Sequence, residues 1–532
     1  MTYGRPGVYV NETLIPAPVE ASGSAQAAGA AIGAFPQGPT GLTLVKSWGN
    51  FVAQFGGFNT SYPATYGVHQ FFSNGGTELY VKRVLHTVQT GSEAVAAVAS
   101  VALPSASSGN LGTISAINKG ADGNNLRVQV TATATSNYYN VTIYKEVLTQ
   151  YLGTANTNAS NDVIVEQFTN VVFNSASSSD YAATVINATS QFINLTGTWT
   201  TGTPAVQTIT TVLPLASGAD GVAPTTADYT AVVATDGTSE FDVVDRPLVI
   251  FAPNLFEKFT VDGDSSASTH LATVHDALIA WANSGTGFAI IDTAPNLTVT
   301  QAIAYITART ASSQAAAYYP NYYMTDPSGR SSLALRKTSP AGAIAGVFMA
   351  SDNAYGPFKA PAGVTASIRT AISLERAFSP ADLDALNTGV TSGPTYGAPV
   401  NAIRQLPGAG VVVMGARTLL QDGTANRYVS TRRSLIYMKK QLQNITRFAT
   451  FRNNDERLWA QLRTTISVFL NEYRNQGGLR GNAPADAYFV KIDGDINTPT
   501  SIATGVVNIQ VGVALEYPAE FIVINLSQIT GN

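Results

Sequence analysis

The stretch Asp455-Glu-Arg-Leu-Trp-Ala-Gln-Leu-Arg-Thr-Thr-Ile-Ser-Val-Phe-Leu-Asn-Glu-Tyr-Arg-Asn-Gln-Gly-Gly478 carries the clearest fold signal in the chain. Its apolar residues recur at spacings of 4, 4, 3 and 4, the period of one helix face, and they are Leu458, Leu462, Ile466, Phe469 and Tyr473. Acidic residues occupy the first turn, where they suit the helix dipole, and the two glycines end the pattern. The stretch therefore predicts one long amphipathic helix.

Another helix and several strands are predicted around this one. Residues 430–448 form the preceding helix pattern, and residues 411–414 form a strand pattern ahead of it. Alternating apolar residues at 507–515 predict a half-buried strand. Residues 520–526 are apolar on both faces, so the strand they predict needs cover on both sides. We interpret residues 401–532 as a C-terminal α+β domain.

Upstream, strand patterns alternate with helix patterns. The predicted elements are strands at 78–85, 247–252 and 288–292 and helices at 65–73, 268–283 and 300–312. This β-α-β-α order is typical of an α/β layer. Residues 21–86 and 223–400 are therefore predicted to form an α/β middle domain, which makes the chain an α+β and α/β multidomain protein.

The segment between these two parts has a different composition. Residues 87–222 are rich in Thr, Ser, Asn, Ala and Val, with turn residues between strand patterns at 126–133, 138–145, 162–168 and 206–213. Between residues 87 and 240 there are 3 Lys/Arg against 10 Asp/Glu. The segment is predicted to be an inserted all-β domain, sandwich-like in architecture.

Composition limits the function classes. The 532 residues include 45% hydrophobic and only 12% charged residues, and the charged share is about half that of ordinary soluble proteins. Two explanations stay open: a large domain rich in uncharged polar residues, or a surface covered by copies of the same chain. A net charge of −4 gives no support for nucleic-acid binding, and the absence of cysteine excludes disulfides and thiolate metal sites.

No pattern indicates catalysis, a cofactor or a metal. The glycines at 408, 410 and 415 precede a strand pattern, whereas a dinucleotide loop follows one. The loop Asp493-Gly-Asp495-Ile-Asn497 begins like a calcium loop, but Thr498 replaces the turn glycine. We therefore expect a protein that is not an enzyme and that has no catalytic, cofactor-binding or metal-binding residues.

The first twenty residues are predicted to be an extended arm. Val8-Tyr-Val-Asn11 alternates like a strand and is followed by Ile15-Pro-Ala-Pro18, which keeps the chain extended. No basic segment followed by an apolar run opens the sequence, so we expect no signal peptide, no membrane insertion and synthesis in the cytoplasm of the producing cell.

Positive charge is concentrated in one region. Residues 430–480 hold 10 Lys/Arg and 3 Asp/Glu, a net of +7 in a chain whose total is −4. A solvated helix face and a docking surface for an acidic partner, or for an acidic patch on another copy, both explain such a cluster.

Taken in order, several motifs resemble the contractile phage tail sheath family across most of the chain. They are Arg5-Pro-Gly-Val-Tyr-Val10, Phe55-Gly-Gly-Phe58, Phe71-Phe-Ser-Asn-Gly-Gly-Thr-Glu-Leu-Tyr-Val81, Gly218-Ala-Asp-Gly-Val222, Gly342-Ala-Ile-Ala-Gly-Val347, Lys359-Ala-Pro-Ala-Gly363, Pro407-Gly-Ala-Gly410, Arg427-Tyr-Val-Ser-Thr-Arg-Arg433, Asn454-Asp-Glu-Arg-Leu-Trp459 and Pro518-Ala-Glu-Phe-Ile-Val523. No single motif decides the resemblance; the ordered set does.

The resemblance implies a structural subunit of stacked hexameric rings around a tail tube, contracting to drive the tube through a host envelope. The implied partners are other copies of the chain, the tail tube protein, and the baseplate and tail terminator proteins. The implied location is the virion, after assembly in the host cytoplasm. The insert at 87–222 would face outward. Two alternatives stay open: a tail-derived injection particle, and a virion protein whose insert binds glycans.

Two residue sets follow from the resemblance together with the patterns above. The arm and the final strand would add to sheets of neighbouring subunits, and this set comprises Val8, Tyr9, Val10, Glu520, Phe521, Ile522, Val523 and Ile524. The basic helical region would face the tube, and this set comprises Arg432, Arg433, Lys439, Lys440 and Arg447.

Overall fold

A computed structural model describes most of the chain. The described residues are 27–88, 93–104, 110–146, 162–173, 176, 178–197, 212–285, 287–329, 334–390, 397–420 and 425–520. The predicted arm at 1–20, most of the predicted strand at 206–213 and residues 521–526 of the final strand lie outside them.

The secondary structure comprises the following elements. The strands are β1 (Ala28–Gly33), β2 (Thr43–Val45), β3 (Leu79–Arg83), β4 (Val98–Pro104), β5 (Asn110–Lys119), β6 (Leu126–Ala132), β7 (Tyr138–Glu146), β8 (Asp162–Val172), β9 (Ile193–Thr196), β10 (Leu213–Pro214), β11 (Leu248–Phe251), β12 (Gly287–Ile291), β13 (Ala315–Tyr319), β14 (Tyr322–Thr325), β15 (Leu335–Thr338), β16 (Ser373–Leu374), β17 (Asn401–Leu406), β18 (Gly410–Val413), β19 (Tyr488–Lys491) and β20 (Gln510–Val513). The helices are α1 (Trp48–Phe55), α2 (Ala64–Ser73), α3 (Ala182–Thr189), α4 (Thr226–Val232), α5 (Leu255–Val261), α6 (Ala267–Ser284), α7 (Val299–Thr307), α8 (Ala341–Tyr355), α9 (Pro380–Thr388), α10 (Val429–Thr446), α11 (Glu456–Asn475), α12 (Pro484–Ala487) and α13 (Pro499–Ala503).

An eight-stranded sheet forms the centre of the molecule, in the order β18-β17-β13-β12-β11-β1-β3-β2. The six inner strands pair in parallel, and β2 and β18 pair antiparallel at the two edges. Every residue of β11 and β12 is buried, as expected for parallel strands with both faces covered. The predicted strands at 247–252 and 288–292 are confirmed.

Helices cover both faces of this sheet. One core lies under α4 to α7 and α9, and the other lies under α1, α2, α8 and the first half of α10. The predicted helix at 268–283 is confirmed as α6, with Leu271, Val274, Leu278 and Trp281 buried. The helix predicted at 300–312 is shorter, because α7 ends at Thr307.

The domain boundary predicted at residue 400 is wrong. Strand β17 pairs with β13, and β18 pairs with β17, so both belong to the central sheet. The first half of α10 also packs into the core of that sheet through Val429 and Ile436. The C-terminal part is therefore continuous with the middle of the molecule, because its first strands complete the sheet.

The described residues between 98 and 214 form a body with its own core. It has a four-stranded sheet, β10-β6-β7-β8, and a three-stranded sheet, β4-β5-β9, with buried residues such as Val128, Val141 and Leu195 between them. The strands predicted at 126–133 and 138–145 are confirmed. Helix α3 also packs into this core through Ile186, and the prediction of an all-β domain did not include it.

The C-terminal helices meet the small antiparallel sheet β19-β20. The helix predicted from residue 455 is confirmed as α11, which Asp455 caps by accepting a hydrogen bond from the Leu458 backbone at 2.8 Å. The strand predicted at 507–515 is shorter, because β20 spans only Gln510–Val513 and is followed by an isolated antiparallel bridge between Leu515 and Leu479. In the described part of the chain, no helix is long and apolar enough to cross a membrane.

Candidate assembly surface

Helices α10 and α11 place the predicted basic residues. The buried face of α11 holds Leu458, Leu462, Ile466, Leu470 and Tyr473, and it packs against Met438 of α10. The hydroxyl of Tyr473 donates to the Ser434 hydroxyl at 3.0 Å, and burial raises the pKa of Tyr473. The two helices therefore form one packed unit, and the outward faces alone are free to bind a partner.

Arg433 does not lie on such a face, so its assignment to a tube-facing surface is wrong. Its guanidinium forms a two-point ion pair with Asp352 of α8, with Nη1 at 2.9 Å from Oδ1. Both side chains are about 95% buried, and the guanidinium also lies over the Phe348 ring, 4.6 Å from its centre. Burial raises the pKa of Asp352, and Arg433 opposes that shift. Arg433 therefore links α10 to α8, one of the helices that cover the central sheet.

Three more of the predicted residues are engaged within the chain. Arg432 is half-buried and donates to the side-chain carbonyl of Gln314, and burial lowers the pKa of Arg432. Lys440 and Arg447 both contact the carboxylate of Asp245. The hydrogen bonds from Arg447 and then Lys440 lower the pKa of Asp245. Of these, Arg447 alone keeps a largely exposed side chain, at 60%.

Lys439 is the fifth predicted residue, and it is exposed at the rim of an apolar groove. The groove has a volume of about 470 Å³ and runs between α10, α11 and β20. Its walls include Leu435, Leu442, Ile509 and Val511. In the part of the chain that the structure describes, β20 pairs with β19 alone, so its other edge has no strand partner there, and the alternate side chains Ile509, Val511 and Val513 line the groove.

Glu520 is the one residue of the predicted linker strands that is described. The single N–H at Nε of Arg417 is shared between the two oxygens of the Glu520 carboxylate, at 3.1 and 3.2 Å, and Nη2 of Arg417 donates to one of them. Arg417 follows strand β18 and is 7% exposed. The other linker residues, at 8–10 and 521–524, lie outside the described residues.

The calcium-like loop at 493–497 is occupied by local contacts. Lys491 lies 3.7 Å from a carboxylate oxygen of Asp493 and 3.1 Å from one of Asp495. The Asn497 amide donates to the carbonyls of Asp493 and Asn508, at 3.2 and 3.0 Å. These contacts hold the loop in its turn.

Sequence reasoning missed Asp352, Asp245 and Arg417. Each partner is far away in sequence: Asp352 lies 81 residues from Arg433, and Arg417 lies 103 from Glu520. Asp245 lies 202 residues from Arg447. The sequence around a basic helical residue does not show that its acidic partner lies far along the chain. The only available signal was that residues 430–450 contain no Asp or Glu.

Solved structures of contractile sheaths share this fold. The helical sheath of the anti-feeding prophage in its contracted state matches with a TM-score of 0.56 and 19% identity, over 99% of this chain and 100% of that one. The contracted sheath complex of the extracellular contractile injection system PVC gives the same TM-score and identity, over 99% and 98%. A sheath tail protein from Listeria innocua gives a TM-score of 0.57 and 13% identity, over 89% and 90%. The chain therefore has the fold of contractile sheath proteins.

The C-terminal part is identified more closely by its sequence. Residues 421–529 match the family of phage tail sheath C-terminal domains, which covers α10, α11 and β19-β20 together with the segment that follows. The resemblance to the contractile tail sheath family is thereby confirmed. A comparison with curated proteins finds no similar sequence.

Proposed function

We propose that this chain is the structural subunit of a contractile sheath, polymerising as stacked hexameric rings around a tail tube and contracting to drive that tube into a target envelope. One observation carries the proposal: within the matched C-terminal domain, the small sheet β19-β20 has one edge without a strand partner among the described residues, and one face of β20 lines an apolar groove. The unpaired N–H and C=O groups of such an edge can pair with a strand from another chain.

The segments at 8–10 and 521–524 have the composition that such an edge accepts. Both segments consist of β-branched and aromatic residues, and neither contains proline. Backbone hydrogen bonds along β20 would give affinity, and side chains such as Val8 and Val10 would enter the groove on alternate positions. Strand addition between copies is the linkage that keeps a sheath continuous while its subunits rearrange.

Removing the arm tests the linkage directly. A chain lacking residues 1–20 should stay soluble and folded, because the described core begins at Ala27, and should no longer form tubes in electron micrographs. Val8→Asp with Val10→Asp should have the same effect without shortening the chain, and Thr2→Asp is the matched control. Tubes of normal length from the truncated chain would contradict strand addition by the arm.

The tube-facing surface is proposed to centre on Lys439 and Arg447, the two exposed members of the predicted basic set. Lys439→Glu should weaken co-sedimentation with isolated tail tubes and leave the melting temperature unchanged, because the side chain makes no buried contact. Lys46→Glu, at a side chain that is 69% exposed on another part of the molecule, is the matched control. Equal tube binding by both variants would argue against this surface.

The proposed role is common to phage tails and to tail-derived injection particles. The similar structures include sheaths of two injection systems and a sheath tail protein, at comparable TM-scores. Tail tube, baseplate and tail terminator proteins are the expected partners in either particle. The assembled sheath on the outside of the particle is the proposed location.

A further inference from the structure

The last described residue is held to the body of the subunit by an unusually complete set of contacts. Glu520 accepts from two nitrogens of Arg417, Nε and Nη2, and the remaining terminal nitrogen, Nη1, donates to the Asn387 carbonyl at 2.8 Å. The Arg417 side chain is 8% exposed and that of Glu520 is 19% exposed. Two-point contacts of this kind, largely shielded from water, fix geometry better than an exposed ion pair does.

Arg417 is itself fastened to the central sheet. The Asn401 side chain accepts from the Arg417 backbone nitrogen at 2.8 Å and donates to the Arg417 carbonyl at 2.8 Å. The same Asn401 amide donates to the Ala317 carbonyl at 3.0 Å. Because Asn401 opens β17 and Ala317 lies in β13, the position of Glu520 is tied to two adjacent parallel strands.

The segment that leads to Glu520 is also held along its length. The Ala514 carbonyl accepts from the Arg480 backbone nitrogen at 2.8 Å, and the Glu516 carbonyl accepts from the Thr431 hydroxyl at 3.3 Å. Tyr517 packs near the Tyr428 ring, with ring centres 6.2 Å apart. Residues 516–520 then line a groove of about 600 Å³ beside β17. The chain is therefore not free to move as a linker before residue 521.

We propose that Arg417 and Glu520 form a positioning pair that fixes where the C-terminal linker leaves the subunit and passes its tension to the central sheet. This inference rests on the proposed sheath function. Residues 521–532 can span about 43 Å at most, at roughly 3.3–3.6 Å per residue. The acceptor edge on the partner copy must then lie within that distance of Glu520, so the pair selects which neighbour the linker can reach.

Charge reversal tests the pair, with the double reversal as rescue. Arg417→Glu and Glu520→Arg should each raise the protein concentration needed for tube formation at least tenfold, and Arg417→Glu with Glu520→Arg together should restore it. Arg404→Glu makes the same charge change in the same groove and is the matched control. Single variants that assemble like the wild type, or a double variant that stays defective, would overturn the proposal.

A second measurement tests the Arg417–Glu520 pair in unassembled subunits. The chain has no cysteine, so Ala519→Cys gives one site for a spin label next to Glu520. The label should be immobile in unassembled wild-type subunits, mobile with Arg417→Glu, and immobile again in the double reversal. Equal mobility in all three would overturn the pair as an anchor. Wild-type subunits that form no tubes would instead overturn the sheath function, whatever the label shows.

Discussion

Two bodies are joined to the central sheet through buried arginines, and the two joints differ in kind. Arg433 joins the C-terminal helices and faces one carboxylate, that of Asp352, which is as deeply buried as the arginine. Arg83 joins the body at 98–214, and its side chain is fully buried. It donates to the carbonyls of Phe35, Gly38 and Lys119 at 2.7 to 3.0 Å, whereas Asp220 lies farther away, at 3.4 Å.

The difference shows how firmly each body belongs to the sheet. At the C-terminal joint, charge is balanced by one partner, and Val429 and Ile436 share the core of the sheet. At the other joint, several backbone carbonyls satisfy the arginine, and the body beyond has its own core. The C-terminal helices thus belong to the same fold as the sheet. The body at 98–214 has its own core and is joined to the sheet through Arg83.

The largest effect should come from breaking the C-terminal joint. Asp352→Ala leaves the Arg433 charge buried without a partner, which costs about 3–5 kcal/mol in comparable sites. We expect a loss of that size in the unfolding free energy from urea denaturation near neutral pH. Replacing both residues, with Asp352→Leu and Arg433→Met, should recover most of it, because no charge then stays buried. A loss below about 1 kcal/mol for Asp352→Ala would contradict the account of this joint.

A smaller effect is expected at the other joint. Asp220→Asn keeps an oxygen that can accept from the Ala121 backbone nitrogen, now at 3.1 Å, and leaves Arg83 its carbonyl partners. The unfolding free energy should fall by about 1 kcal/mol, the usual net worth of a hydrogen bond. The same denaturation measurement checks it. If Asp220→Asn were as damaging as Asp352→Ala, the distinction between the two joints would be lost.

The smallest effect is expected at Asp245, which lies between Lys440 and Arg447 on the surface. Its side chain is 49% exposed, so Asp245→Asn should cost at most about 1 kcal/mol and less at high salt. Because the pKa of Asp245 is lowered in the folded state, its contribution is present above the ordinary carboxyl pKa and is lost as the pH falls through the folded value. Denaturation of wild type and variant at several pH values should converge in acid; a constant difference would contradict the ion-pair explanation.

The elements of the fold were largely readable from the sequence. Period-3.6 spacing located α6 and α11, and continuous apolar runs located β11 and β12, because burial leaves those periods in the sequence. The order of strands in the sheet has no comparable signal in the sequence. The boundary at residue 400 failed for this reason, since nothing local to β17 says that it pairs with β13.

The candidate site was less predictable than the fold. The basic cluster at 430–480 was visible in composition, but charge alone does not tell a docking side chain from a buried one. Arg433 and Lys439 look alike in the sequence, yet one is paired with Asp352 and the other lies at the rim of a groove. Only long-range contacts separate the two, and these follow from the tertiary fold.

Electron microscopy of the purified chain, with and without residues 521–532, tests the sheath function most directly. The full-length protein should form rings or tubes, because it holds both the edge of β20 that has no partner among the described residues and the proposed linker segments. The shortened protein, whose described fold ends at Glu520 and stays intact, should remain unpolymerised at the same concentration. A full-length protein that forms no ordered polymer, or a shortened one that forms identical tubes, would contradict polymerisation by strand addition.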